Sequence, residues 1–124
     1  MVKICSEKVG EGKYTLEAVL ILSDDGIQVY LGGGERSHIG TVVLSLPRPS
    51  LVGDGTISCT TSVLNLLHHK DDILAVALAE TLCKKINKAV VVTAGVHIDQ
   101  ATRDDIVIFR HKLEEVADKL LSYF

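Results

Sequence analysis

VVVTAGVHIDQAT, residues 90–102, is the stretch whose reading decides the fold. Val90, Val91, Val92 and Thr93 are all apolar or β-branched, which suits a strand buried on both faces. Ala94-Gly95 then breaks the run, His97 and Asp99 follow, and a helix opens near Thr102. A central strand that hands polar side chains to the loop before a helix is a common way to build a site. Three other polar clusters lie outward from it: SHIG at 37–40, PRPS at 47–50 and HHKDD at 68–72. Each ends a strand or opens a helix, and several are expected to converge near His97.

The flanking segments supply the scaffold. Strands over residues 14–22 and 27–31 enclose Asp24-Asp25-Gly26, a hairpin signal because Gly accepts the positive φ of the turn. A third strand covers 39–46, where Pro47 and Pro49, having no N–H to donate, are expected to stop it. A fourth, Thr-rich strand covers 57–64. A helix follows, with Asp71 and Asp72 in its first turn and Lys84, Lys85 and Lys88 toward its end, as the helix dipole favours. Ile73, Leu74, Ala77, Leu78, Leu82 and Ile86 carry its apolar side, widened by Val76. The fifth strand is 90–93.

In the last helix Thr102 is a good N-cap, with Asp105 three residues on. Ile106, Phe109, Leu113, Val116 and Leu120 form one narrow seam, and Glu115 and Lys119 are spaced to pair. Residues 1–13, Gly-rich and charged toward their end, read as a loose arm. The result is a single α+β domain over 1–124, in the order β-β-β-β-α-β-α. Its sheet is mainly antiparallel, of five or more strands, with two helices on one face. Strands this apolar need cover on the other face, from a partner subunit or from the helices. The seam packs on its own sheet or on a partner helix. The expected assembly is a homodimer or homotetramer with the last helix at or beside an interface.

Composition excludes several classes. The net charge of −3, with both signs interspersed, is no nucleic-acid footprint. Apolar residues make up 47% of the chain without any Trp, so Ile, Leu and Val must build the core. No apolar run approaches the ~20 residues that span a bilayer, and MVKICSEKVGEGK shows no secretory h-region. Cys5, Cys59 and Cys83 form no C-x-x-C pair and read as reduced thiols of a cytoplasmic protein.

The polar clusters point toward anion and cofactor binding. GGGERSHIG, residues 32–40, could cradle a phosphate with backbone N–H groups, helped by Arg36, Ser37 and His38, although a flexible hairpin loop is the plainer reading of the glycines. In PRPS the prolines stiffen the loop and pre-position Arg48 for a carboxylate or phosphate; a solvated turn arginine is an equally good reading. Helix-start chemistry explains Asp71 and Asp72, but not His68, His69 and Lys70 at the positive end of a dipole. His97 and Asp99, two apart, share a face if the chain is extended, so the carboxylate could orient the imidazole; otherwise Asp99 caps a turn. His38, His69, His97 and Asp99 could ligate zinc, yet no H-E-x-x-H spacing is present and a metal site is not expected. No G-x-S-x-G nucleophile motif or Rossmann G-x-G-x-x-G appears.

The ordered set HIG (38–40), PRPS (47–50), TTSVL (60–64), HKDD (69–72) and VVVTAGVHID (90–99) resembles the LpdD-like family, the D subunits that accompany prenylated-flavin-dependent aromatic-acid decarboxylases such as gallate decarboxylase. The resemblance implies a non-catalytic accessory protein that binds prenylated FMN or a related flavin phosphate and delivers it to a decarboxylase. On these motifs the implied cofactor-binding residues are His38, Gly40, Arg48, Ser50, His69, Lys70, Asp72, His97 and Asp99. Arg48, His69 and Lys70 would take the phosphate, with His38 and His97 on the flavin or phosphate. One departure stands out: the family carries Gly before the His-Lys pair, where this chain has His68. The element order also resembles proteasome assembly chaperones of the 3/4 branch. That resemblance implies an α+β subunit dimerising through its helices, and it supplies the alternative function of an assembly chaperone acting only through protein contacts.

Overall fold

The computed structural model describes residues 1–66 and 72–124. Its elements are β1 (Lys3–Val9), a 3₁₀ turn (Gly12–Tyr14), β2 (Leu16–Leu22), β3 (Gly26–Gly34), β4 (Arg36–Pro49), β5 (Ile57–Asn65), α1 (Asp72–Ile86), β6 (Ala89–His97) and α2 (Arg103–Leu121). One six-stranded sheet runs in the order β1-β2-β3-β6-β4-β5. β6 lies in the middle, parallel to β3 and antiparallel to β4, and the other neighbours are antiparallel. The architecture is the expected α+β domain with both helices on one face.

Four local expectations are corrected. Residues 3–9 are not a loose arm: Cys5 and Val9 turn inward while Ile4 turns outward, and this period-two pattern pairs the segment with β2 from Lys3↔Leu22 to Val9↔Leu16. There are therefore five strands before the first helix, not four. Ala94-Gly95 does not end the central strand, since β6 continues to His97 with Gly95 opposite Gly32. The prolines do not end β4 either. Ser50 donates its N–H to Thr56 on the β5 side, so alternate residues Pro47 and Pro49 turn their nitrogens to the other side. There β6 pairing has already stopped at Ser45↔Val90, and no ladder bond is lost. Finally, α1 is rotated. It buries Ala75, Leu78, Ala79, Leu82 and Cys83, while Ile73 is 53% exposed. The small residues let the helix lie close to the sheet.

The core is one-sided. Leu16, Leu20, Leu31, Val43, Val90 and Val92 are buried beneath α1 and α2. Phe109, Leu113, Val116 and Leu120 of the last-helix seam are buried in the same cluster, so that seam is satisfied by its own sheet; Ile106 stays half-exposed. All three cysteines are buried free thiols. Burial, then the Glu80 carboxylate, push the Cys59 thiol up from its ordinary range, and Cys59 and Thr61 both donate to Glu80 Oε2, at 3.2 and 2.9 Å.

Among the described residues the opposite face carries no helix. It presents Ile4 (69% exposed), Val19, Leu44, Leu46 and Leu64 (72% exposed), with Val42 and Val91 half-buried between them. The start of β4 folds over one end of this face. Register slips between Ser37 and Thr41, and the irregular main chain there passes directly above Gly95. A Cβ on Gly95 would stand 1.7 Å from the His38 carbonyl oxygen. Glycine is needed here for close backbone approach and not for a left-handed φ. Tyr30 fastens the crossing by donating its hydroxyl to the same His38 carbonyl at 2.9 Å.

α2 begins with the expected capping box. Thr102 Oγ1 accepts the Asp105 N–H at 3.2 Å, and Asp105 Oδ2 accepts the Thr102 N–H at 2.9 Å. Asp105 is buried and also accepts the Tyr14 hydroxyl at 2.5 Å, with Lys13 Nζ 3.7 Å away. The Thr102 N–H bond first, and the Tyr14 hydroxyl next, hold this carboxyl down at about 2. Glu115 pairs with Lys112, one turn before it, at 3.1 Å, and not with the expected Lys119 one turn after.

Two predictions follow from this framework. Gly95→Ala forces the residue 38–40 crossing off the sheet and is expected to cost about 3 kcal/mol; denaturant unfolding showing wild-type stability would contradict the close approach. Asp105 has a folded pKa below its ordinary value, so its contribution to stability is complete above the unfolded value of 3.8 and is lost as pH falls toward 2. Asp105→Asn should therefore lower the melting temperature at pH 7 and lose most of that deficit near pH 2, which thermal melts across this range will show.

Candidate functional site

The ends of β3 and β6 and the start of β4 meet at one end of the uncovered face. β6 directs alternate residues outward, so Val91, Thr93, Gly95 and His97 line that face. His97 Nε2 lies 2.8 Å from Asp99 Oδ1. The neutral tautomer that donates from Nε2 to this carboxylate presents Nδ1 as an acceptor, and the imidazolium would donate from both nitrogens. The His38 ring stands edge-on to His97, with centroids 5.9 Å apart and planes at 74°. The Asp99 loop is tied back to the sheet: Glu35 Oε1 accepts the Asp99 N–H at 3.1 Å, and the Glu35 N–H donates to the His97 carbonyl at 2.7 Å. His97 is partly sheltered and Asp99 is exposed. Gly40 is buried beside the cluster, its carbonyl accepting the Leu66 N–H at 2.9 Å.

His38, Gly40, His97 and Asp99 are therefore brought together. Other members of the expected set are not. Arg48 and Ser50 sit at the opposite end of β4, about 30 Å from His38 at ~3.3 Å per strand residue. Arg48 lies on the uncovered face, donating from Nε to Thr60 Oγ1 at 3.0 Å and from Nη1 to the Pro49 carbonyl at 3.2 Å. A shallow cleft there is lined by Arg48, Ser50, Gly53, Gly55, Thr56 and Asn87. Asp72 opens α1 on the helix side, in a groove shared with Ile73, Val76, Glu80, Lys84 and Arg110. His69 and Lys70 lie outside the described residues.

The glycine run at 32–34 is no phosphate cradle. It is the end of β3, where the Gly34 N–H donates to the Thr15 carbonyl at 2.9 Å and β6 pairs alongside through Gly34↔His97. Among the described residues no group of three or more His, Cys, Asp or Glu side chains could hold a metal ion. The sequence reading missed Tyr30 and Glu35. Tyr30 is two residues before Gly32 on the same face of β3, and that alternation was its available signal.

The cluster offers imidazole nitrogens that can donate or accept, an exposed carboxylate, and aromatic edges beside an apolar sheet surface. No helix among the described residues is long and apolar enough to cross a membrane.

Comparison with known proteins places this chain in a family. Residues 10–124 match the prenylated flavin chaperone LpdD-like domain. No curated protein matches the chain. Among solved structures, a chain of a chaperone complex for yeast 20S proteasome assembly superposes with a TM-score of 0.65 at 20% identity, covering 98% of this chain and 96% of that one. At that identity the likeness concerns the fold alone. The match over residues 10–124 takes in both histidines, the β4 crossing and the whole central strand, and on it the chain belongs to the LpdD-like prenylated flavin chaperone family.

Proposed function

We propose that this protein is a non-catalytic carrier of prenylated FMN, or a related flavin phosphate, and that it hands the flavin to an aromatic-acid decarboxylase. The family match over residues 10–124 carries the reading. The His38–His97–Asp99 cluster supports it by offering hydrogen-bonding groups at the edge of an apolar surface. In this proposal His97, oriented by Asp99, and His38 bind the flavin, with Gly40 beside them. His69 and Lys70 take the phosphate. The proteasome-chaperone likeness at 20% identity lends no support to the alternative of a carrier-free assembly chaperone.

Titration with prenylated FMN, FMN and riboflavin, followed by fluorescence quenching, tests the proposal. Wild type should bind the two phosphates far more tightly than riboflavin. His97→Ala should weaken prenylated FMN binding about tenfold, the worth of one hydrogen bond of ~1.4 kcal/mol. Its melting temperature should hold, because the side chain is partly exposed and lies off the core. Equal, weak binding of all three ligands by wild type and variant rejects the flavin site and favours a role confined to protein contacts.

A further inference from the structure

We infer that the uncovered sheet face is the interface between two copies of this chain, and that the second copy returns Arg48 to the His38–His97–Asp99 cluster. This inference rests on the flavin-carrier reading for the ligand, but its geometry stands on the sheet.

The face is large enough. Six strands at ~4.8 Å and seven to nine residues at ~3.3 Å give roughly 700 Å² per copy, close to the ~800 Å² per partner of a stable interface. It is also self-compatible. Between Arg36 and Arg48 at the two ends of β4, the central strands present Val42, Leu44, Leu46, Val91 and Thr93, without a charge. Lys8 and Glu17 at one corner neutralise each other at 3.4 Å. Among the described residues the apolar middle of this surface holds no charge that repels an identical one, and two sheets stacked face to face bury such a surface at a spacing of ~10 Å.

Symmetry then joins the separated ends. Val43 and Val92 are register partners in adjacent strands. Arg48 lies five residues beyond Val43 toward one end, and His97 five residues beyond Val92 toward the other. A twofold axis crossing the strands at the Val43–Val92 level exchanges the ends and lays β4 over its own copy. Arg48 of one copy then stands over the residue 38–40 crossing of the other, beside His97. The two arginines remain about 30 Å apart, well beyond the ~8 Å screening length, so they do not oppose association. The paired sites gain a guanidinium suited to a flavin phosphate, in addition to that of Arg36, the register partner of His97.

Sedimentation and prenylated FMN titration of the full chain test the two parts separately. Wild type should be a dimer at about 0.1 mM, and Leu44→Asp a folded monomer by circular dichroism, with association at least about 100-fold weaker. Ile106→Asp, on the half-exposed helix side, should remain a dimer. Arg48→Ala and His97→Ala should each bind prenylated FMN about tenfold more weakly. After subunit exchange in an equimolar mixture, about a quarter of the sites should recover wild-type affinity, since half the dimers are mixed and each holds one intact site. A monomeric wild type, a Leu44→Asp dimer, an Arg48→Ala protein that binds like wild type, or a mixture without recovery overturns the inference. A wild-type dimer that binds no flavin rejects the carrier reading and the completed site, while sedimentation still decides whether this face is the interface.

Discussion

The contact on which the candidate site depends is between two stretches of main chain. The His38 carbonyl rests where any side chain on residue 95 would have to be. This approach lets β4 leave its regular register, cross the end of β6 and bring the His38 ring against His97. Tyr30 holds the same carbonyl from below, and Glu35 ties the Asp99 loop to the strand ends. A side chain at residue 95 would undo all three arrangements together.

The second constraint is one-sided cover. Both helices spend their apolar faces on the same side of the sheet, where α2 is fixed at its start by the buried Asp105 and Tyr14. The opposite face keeps its Val, Ile and Leu side chains toward solvent in a single copy. Exposed apolar surface of that extent marks an interaction surface, and here the polar cluster stands at its rim. A carrier protein needs both features: an apolar surface for a flavin ring or a partner, and polar groups that give the ligand a direction.

Local features were legible in the sequence because their causes are local. Asp24-Asp25-Gly26 turns as expected, with the Ser23 N–H donating to the Gly26 carbonyl at 3.0 Å. Thr102 and Asp105 form the reciprocal cap. The two-residue spacing of His97 and Asp99 led to their contact, although Asp99 lies just past the strand end. Long-range features were not legible. Alternation tells which face a residue takes, but not which strand lies beside it, so the parallel placement of β6 against β3 had no local signal. The motifs SHIG and PRPS open and close a single long strand, and that strand's length separates Arg48 from His38. Gly95 looked like a strand breaker because glycine usually weakens strands; the reason for it here is a neighbouring backbone from fifty-odd residues earlier in the chain.

The central claim is that this chain carries a flavin, and the most direct measurement is what it retains. The protein should be purified after incubation with the product of a flavin prenyltransferase, passed through gel filtration, and its absorbance spectrum recorded. The account predicts a flavin band that co-elutes with the protein at close to one flavin per chain and is released as phosphate-bearing prenylated FMN on denaturation. A protein peak free of flavin absorbance, under conditions where the flavin is intact and in excess, would contradict it.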